Sequence, residues 1–298
     1  MPIRTLTQEQ QEQFWRDGYL LIQEAVCNNT LAHLRNQMDT WTEESRWYTE
    51  PYGAPTVDGR PRFDLEEGHS SKRPALRRIN NPAEISDHFY RVMTDAPMVD
   101  MVACLIGPDV KYHHCNVNSK LPGSQMVVRY HQDFPYTPHT NDDIITALLM
   151  LDDVDKGNGC LMAVPGTHTG NIDSLYENGV FTGKVNSNLE KTYLDRQVPI
   201  EGKAGSVCLM HTRLLHGSET NLSKDRRRAI YLCVYSAADA VPIARNPMPS
   251  RLEGTVVRGQ ASRTARMIPL EVELPEQPKS ASFFTILGQK SARPENEN

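Results

Sequence analysis

Residues 131–136 read HQDFPY, and residues 216–235 read HGSETNLSKDRRRAIYLCVY. If Arg129–Asp133 is extended, alternation places His131 and Asp133 on one face of a strand and turns Gln132 away. Two such side chains can grip one ion. Alone, His-x-Asp is a weak signal, because two residue types at one spacing arise by chance in many chains. His216 adds the weight: it follows Asp133 by 83 residues, after the apolar run SVCLM (206–210) and inside a polar His-Gly-Ser turn. A second strand can return it to the first pair. Two imidazoles and one carboxylate leave about three octahedral positions open, the pattern of non-haem Fe(II) oxygenases rather than of a closed structural zinc site. Arg227 stands 11 residues beyond His216 at the head of the run AIYLCVY. There its planar guanidinium can enter the same cavity and hold a carboxylate.

Working outward, short candidate strands at 110–120, 125–131, 143–151, 159–164, 206–211 and 229–236 are separated by Gly, Pro, Asn and Asp. Short strands with this punctuation predict a β-sandwich or barrel. The front of the chain is helical instead. Thr7–Gln10 has the capping-box form, and EQQEQFWRDG reads as a helix ended by Gly18. GYLLIQEAV is a strand. Asn29 or Thr30 caps a second helix whose Leu31, Leu34, Met38 and Trp41 form a core stripe. Helix resumes over 83–106, with Phe89, Val92, Val99 and Leu105 inward, until Gly107-Pro108 stops it. Residues 46–75 lack periodicity and suit a loop or lid over an active site. The stretch after Ser236 is rich in Pro and Arg and is expected to wrap the surface. With no repeat and no linker, 1–298 reads as one domain. Its parts are a helical portion (about 1–107), a β core (about 108–240) and a C-terminal extension (about 241–298).

The composition suits such an enzyme. The 298 residues carry a net charge of −5 and a pI near 6.1, against a nucleic-acid partner. No segment approaches the roughly 20 apolar residues of a membrane span. The start MPIRTLTQEQ has no signal-peptide core and the end ARPENEN no targeting tripeptide, so the expected location is cytoplasmic. Six cysteines form no C-x-x-C pair and read as reduced thiols, not a disulfide framework.

From about Asn116 to Ala238 the chain resembles the phytanoyl-CoA dioxygenase (PhyH) family of Fe(II)/2-oxoglutarate oxygenases. The resemblance is carried by NSKLPG (118–123), the HQD triplet, GNGCLMAVPGTHTGN (157–171), HTRLLHGS (211–218) and RRAIYLCVYSAAD (227–239). It implies a mainly β fold with flanking helices around a double-stranded β-helix, a jelly roll of cupin-like type. It implies that His131, Asp133 and His216 ligate iron, and that Arg227 holds the distal carboxylate of 2-oxoglutarate. Asn116, Lys120 and Arg78 are further candidates for cosubstrate contact. The implied reaction uses 2-oxoglutarate and O2 as cosubstrates, hydroxylates an unactivated C–H bond, and releases succinate and CO2. Related halogenases replace the carboxylate by a small residue, so Asp133 argues for hydroxylation or another oxidation over halogenation.

Other residues have plainer readings. One of His113 and His114 should face away from the core. His168 suits either the site mouth or a turn, and His139 and His211 suit support of the metal ligands. Arg226 and Arg228 should lie on a solvated face opposite Arg227. Tyr130, Phe134 and Tyr136 divide between core and substrate wall; loop residues Tyr48, Tyr52, Arg60, Arg62 and Phe63 read as substrate contacts or packing anchors. The expected partner is a small-molecule substrate, with no nucleic acid and no membrane; a homo-oligomer stays open. The favoured substrate is a specialised or catabolic metabolite, with an acyl-CoA thioester as the alternative. A zinc enzyme of cupin type and a non-catalytic protein remain as rival readings.

Overall fold

The computed structural model describes residues 5–276. Four helices precede most of the β core: α1 (Gln8–Asp17), α2 (Asn28–Glu44), α3 (Asp87–Asp95) and α4 (Pro97–Ile106), while α5 (Ser187–Leu194) lies within it. The strands are β1 (Tyr19–Ile22), β2 (Phe63–Leu65), β3 (Leu76–Asn80), β4 (Val110–Lys120), β5 (Val128–His131), β6 (Ile144–Met150), β7 (Leu161–Ala163), β8 (Tyr176–Glu177), β9 (Val180–Phe181), β10 (Val198–Ile200), β11 (Val207–His211), β12 (His216–Ser218), β13 (Arg228–Ala237) and β14 (Val256–Arg258).

The larger antiparallel sheet runs β1-β11-β6-β13-β4-β3-β2, with β14 on β4, and the smaller runs β10-β7-β12-β5. Such a sheet core with flanking helices is typical of the double-stranded β-helix superfamily; among the described residues it does not close into a barrel. Alternation along the central strands sorts their residues. Ala147, Leu149, Leu209, Tyr231 and Tyr235 pack on the helices through Phe14, Leu34, Phe89 and Val102. Leu148, Met150, Met210 and Ile230 point the other way, onto Ala163 and Ile200 of the smaller sheet. Each sheet face therefore has its own core, and the space between sheets becomes the place for chemistry.

The first helix forms as its capping box predicts: Thr7 Oγ1 accepts from Gln10 N, and Gly18 ends the helix in the left-handed region at φ 82°. A side chain at Gly18 would meet His168 Nδ1 at 2.5 Å, so this glycine also permits the loop to pack on α1. The second helix starts two to three residues earlier than expected, with Cys27 in place of Asn29 or Thr30 as N-cap and no side-chain cap bond. The single helix expected over 83–106 is two, broken at Ala96 because Pro97 removes a backbone donor and sets the first turn of α4.

The 46–75 segment is not a wall of the cavity described below. It packs instead, with Tyr48 stacked on Tyr52 at 3.7 Å and Tyr52 on Phe63 at 4.7 Å. Arg62 is buried against Glu84 at 3.0 Å, while Arg60 donates to Pro247 O. These five residues are packing anchors, and their support reaches the C-terminal extension. All six cysteines are free. Of the chain ends quoted for targeting, residues 1–4 and 292–298 lie outside the described residues.

Candidate metal centre and cosubstrate cavity

β5 ends at His131, earlier than the alternation argument assumed. Asp133 has turned to φ −72°, ψ −32° and begins a short 3-10 turn over Phe134–Tyr136. The carboxylate reaches the site by this turn rather than by strand alternation. Gln132 does point away: its amide donates to Asn171 O and Arg213 O and accepts from Asp173 N, pinning the neighbouring loop. β12 pairs with β5 so that His216 faces His131. Gly217 allows the close approach, since a Cβ there would meet Val128 O at 2.9 Å.

His131 Nε2 stands 3.4 Å and His216 Nε2 3.6 Å from Asp133 Oδ1, and the three ligand atoms lie within 4.8 Å of one another. Ligand atoms about 2.1 Å from one ion at right angles are ~3 Å apart, so this spacing closes on a metal with small shifts. The surroundings fit the ion too. His131 Nδ1 is 2.8 Å from Arg129 O and His216 Nδ1 is 2.9 Å from Leu214 O. Each carbonyl holds the ring hydrogen on Nδ1 and leaves the Nε2 lone pair for the metal. Thr146 Oγ1 donates to Asp133 Oδ2 at 3.1 Å, which orients the carboxylate. Burial alone would push Asp133 up, but His216, His131 and Thr146 outweigh it and hold the carboxyl below its ordinary range. Burial lowers His216 to about 4 against the pull of Asp133, so it is neutral and ready to ligate at pH 7. Backbone carbonyls and Thr146 thus do the work expected of His139 and His211. Those two sit elsewhere: His139 on Thr137 O, and His211 beside Phe14 and Trp15. His168 holds Trp15 O and supports a turn, away from the cavity.

The triad opens into a cavity of about 110 Å³. One wall is the inner face of β4 and β13, with His114, Asn116, Asn118, Leu232 and Val234. Tyr136 and Thr212 stand near the metal ligands, and Pro247 and Met248 of the C-terminal extension cover one side beside Arg78. Among the three aromatic candidates, Tyr136 is the wall, edge-on to His131 at 5.7 Å, whereas Tyr130 and Phe134 fill separate core clusters.

Arg227 is not at this cavity, which corrects the expectation from its spacing. Its Nε and Nη2 grip Asp152 at 2.9 and 3.2 Å, and Nη1 donates to Asp39 on α2 at 2.9 Å. It clamps sheet to helix. The reason is phase: Arg227 shares parity with Ala229 and Tyr231, on the helix side, so Arg228 shares parity with Ile230, Leu232 and Val234, on the cavity side. Arg228 is therefore buried, not solvated, while Arg226 alone is on the surface with Asp155.

Arg228 pairs across the ladder with Lys120, next along the face from Asn118. Lys120 Nζ donates to Ser218 Oγ at 2.9 Å and to Glu219 O, and Arg228 Nε donates to Gly159 O at 3.0 Å. Among the described residues neither cation has a carboxylate in hydrogen-bond contact. Burial, then the charge of Arg228, pushes Lys120 well below its ordinary value, and burial lowers Arg228 to about 10. Two buried basic side chains held only by neutral groups lack a counter-charge. Gly159, at φ +81°, is required there because a Cβ would strike Glu219 O at 2.6 Å. Asn116 and Arg78 do reach the cavity, with Asn116 Nδ2 donating to Asn118 Oδ1 at 2.8 Å and Arg78 against Met248.

Comparison with known proteins agrees with this geometry. The profile of the family described as Phytanoyl-CoA dioxygenase (PhyH) matches residues 14–229. A protein of Stutzerimonas stutzeri named "Probable alpha-ketoglutarate-dependent hypophosphite dioxygenase" is 33% identical over 220 residues, 72% of this chain and 74% of that one. The peroxisomal phytanoyl-CoA dioxygenase of Homo sapiens is 26% identical over 244 residues, 78% and 69% of the two chains. In fold, the crystal structure of EctD from S. alaskensis with bound Fe matches with a TM-score of 0.68 at 20% identity, covering 87% of this chain and 89% of that one.

Proposed function

Because this chain belongs to the phytanoyl-CoA dioxygenase family and carries the triad of an Fe(II)/2-oxoglutarate-dependent hydroxylase, we propose that Lys120 and Arg228 anchor its 2-oxoglutarate and that it hydroxylates a small polar metabolite. Iron with 2-oxoglutarate and O2 supplies the oxidation of an unactivated C–H bond, releasing succinate and CO2. His131, Asp133 and His216 would hold the metal at the wall of the cavity they line.

The observation that carries the anchor is the buried Lys120–Arg228 pair, which stands beyond Asn118 and Leu232 on the strand face whose nearer residues line the triad's cavity. Ser218, two residues beyond His216 on β12, lies roughly 7 Å along the strand from the metal ligand, about the length of a five-carbon diacid. A carboxylate there gains Lys120, Arg228 and the Ser218 hydroxyl at once. Leu232 and Val234 line the path between and exclude water from the reacting centre.

A small substrate is supported by the cavity, whose 110 Å³ must take the oxo acid as well as the reacting carbon. The Stutzerimonas relative is named for a small anion, and Arg78 gives this cavity a buried cation beyond the cosubstrate anchor. The human relative is named for an acyl-CoA thioester, whose bulk would have to extend past Pro247 and Met248.

The test is 2-oxoglutarate titration of the iron-loaded protein, followed by succinate release and, across a substrate panel, by mass spectrometry for a gain of one oxygen. Arg228→Ala and Lys120→Ala should each raise the 2-oxoglutarate requirement while leaving iron affinity intact. An unchanged requirement in both would remove the anchor assignment.

A further inference from the structure

We propose that Glu253 and His113 fix the tautomer of His114, so that the cavity wall presents the bare lone pair of His114 Nε2 and selects a substrate with an N–H or O–H donor at that point. This specificity role rests on the hydroxylase reading of the cavity, but not on where 2-oxoglutarate is anchored.

His113 and His114 are neighbours on β4, and a regular strand would send them to opposite faces. Both are nevertheless buried, at 3% and 4% exposure. The ladder with β13 slips at this point: Val234 faces His114 and Tyr235 faces Tyr112, which leaves His113 as the extra residue of a bulge. The bulge turns the rings toward each other and brings their Nδ1 atoms to 2.6 Å. At that distance one nitrogen carries a hydrogen and the other accepts it, and a neutral imidazole has only one N–H.

Glu253 decides the direction. Its Oε1 stands 3.6 Å from His113 Nε2, its side chain keeps 31% exposure, and its Oε2 accepts from Asn246 Nδ2 at 2.9 Å. His113 Nε2 has no hydrogen-bond partner among the described residues, and across 3.6 Å the charge of the carboxylate favours the tautomer that carries the single hydrogen of His113 on that nitrogen. His113 Nδ1 then accepts, His114 Nδ1 donates, and the nitrogen that His114 has left for the cavity is an acceptor.

The other groups around the pair agree with two neutral rings. His139, with its ring centroid 4.9 Å from that of His113, is held as an Nδ1–H donor by Thr137 O at 2.6 Å. Burial, then the charge of Arg78, lowers His114 to about 3; Lys111 and the other two histidines add to burial in holding His113 neutral. His114 meets the substrate in this arrangement, whereas His113 and Glu253 are positioning residues that act through it.

Long-range proton–nitrogen NMR of the histidine rings tests the tautomer in the full chain, loaded with zinc as a diamagnetic stand-in and with 2-oxoglutarate. His114 should show a hydrogen-bearing Nδ1 and a bare Nε2, and Glu253→Leu should shift it toward the other tautomer. A hydrogen on Nε2 in the unaltered protein, or no response to Glu253→Leu, overturns the relay. Acetamide and N,N-dimethylacetamide then probe the cavity as amides with and without an N–H donor, the second being larger by two methyl groups. Acetamide should move the His114 Nε2 resonance and its dimethyl analogue should not. Acetamide affinity should fall roughly ten-fold in His114→Leu, the loss of about one hydrogen bond, and be kept in His114→Gln, whose carbonyl still accepts. Equal responses to both amides, or none, overturn donor selection. Failure of the Arg228→Ala titration would sink the anchor alone and leave these readouts standing.

Discussion

The two faces of β13 do opposite work with neighbouring residues. On the helix side Arg227 clamps Asp152 and Asp39, and the Tyr231 and Tyr235 hydroxyls donate to Phe89 O at 3.1 Å and Met93 O at 2.8 Å. The guanidinium and both hydroxyls there each reach a partner on a helix. On the cavity side Arg228 has only a carbonyl, and Leu232 and Val234 face open space. One strand thus carries stability on one face and ligand binding on the other. One position along the chain takes a guanidinium from a clamp on two carboxylates to a buried group on the opposite face.

Substitutions can break this contrast, beginning with the site itself. Asp133→Ala should cost more than about 100-fold in iron-dependent succinate formation, since even a partner of a metal ligand is worth 10–100-fold; a variant with full turnover would remove Asp133 from the metal. On the helix face, Tyr231→Ala should lower unfolding free energy by roughly 3–5 kcal/mol in denaturant titrations, because it opens a hole against Phe89, yet leave the 2-oxoglutarate requirement of the folded fraction alone. The sharpest test sets Arg227→Ala beside Arg228→Ala. The first should cost about 1–3 kcal/mol of stability with no change in the cosubstrate requirement, and the second should raise that requirement with a smaller effect on stability. The reverse pattern would restore Arg227 as the anchor.

The smallest expected effect is a pH dependence of the metal-free protein. Burial lowers His139 to about 4 and His211 to about 3, below the ordinary histidine value of about 6.5. The unfolded chain therefore binds more protons than the folded one between pH 6.5 and about 3. Stability held above pH 6.5 is lost as pH falls through that window. Denaturation midpoints at pH 7.5 and 4.5 check it, and equal midpoints would mean these rings are not buried neutral.

Much of the fold was legible because its signals are local. The capping box at Thr7, the apolar runs of β4, β6, β11 and β13, and the Leu31-Leu34-Met38-Trp41 stripe each depend on residues close in sequence. The metal triad was legible too, since its residue types have few other reasons to recur in those settings. What was not legible turned on phase and interruption. β5 stops at His131, so Asp133 arrives by a 3-10 turn. A bulge at His113 buries two adjacent histidines where alternation allows one. The segment 46–75 has a lid's composition, yet its aromatics stack on one another and the cavity is covered from residues 247–248.

By itself the sequence determined the chemistry on offer: two histidines and an aspartate for a metal, basic residues for an oxo acid, and strands able to bring them together. Tertiary structure decided which arginine turns toward the cavity side of the sheet. Side chains alternate with a period of two, so a one-residue uncertainty in where β13 locks onto β4 exchanges its entire inner and outer sets. Only the register Arg228↔Lys120, fixed by packing Tyr231 and Tyr235 on the helices, settles that Arg228 turns inward and Arg227 outward.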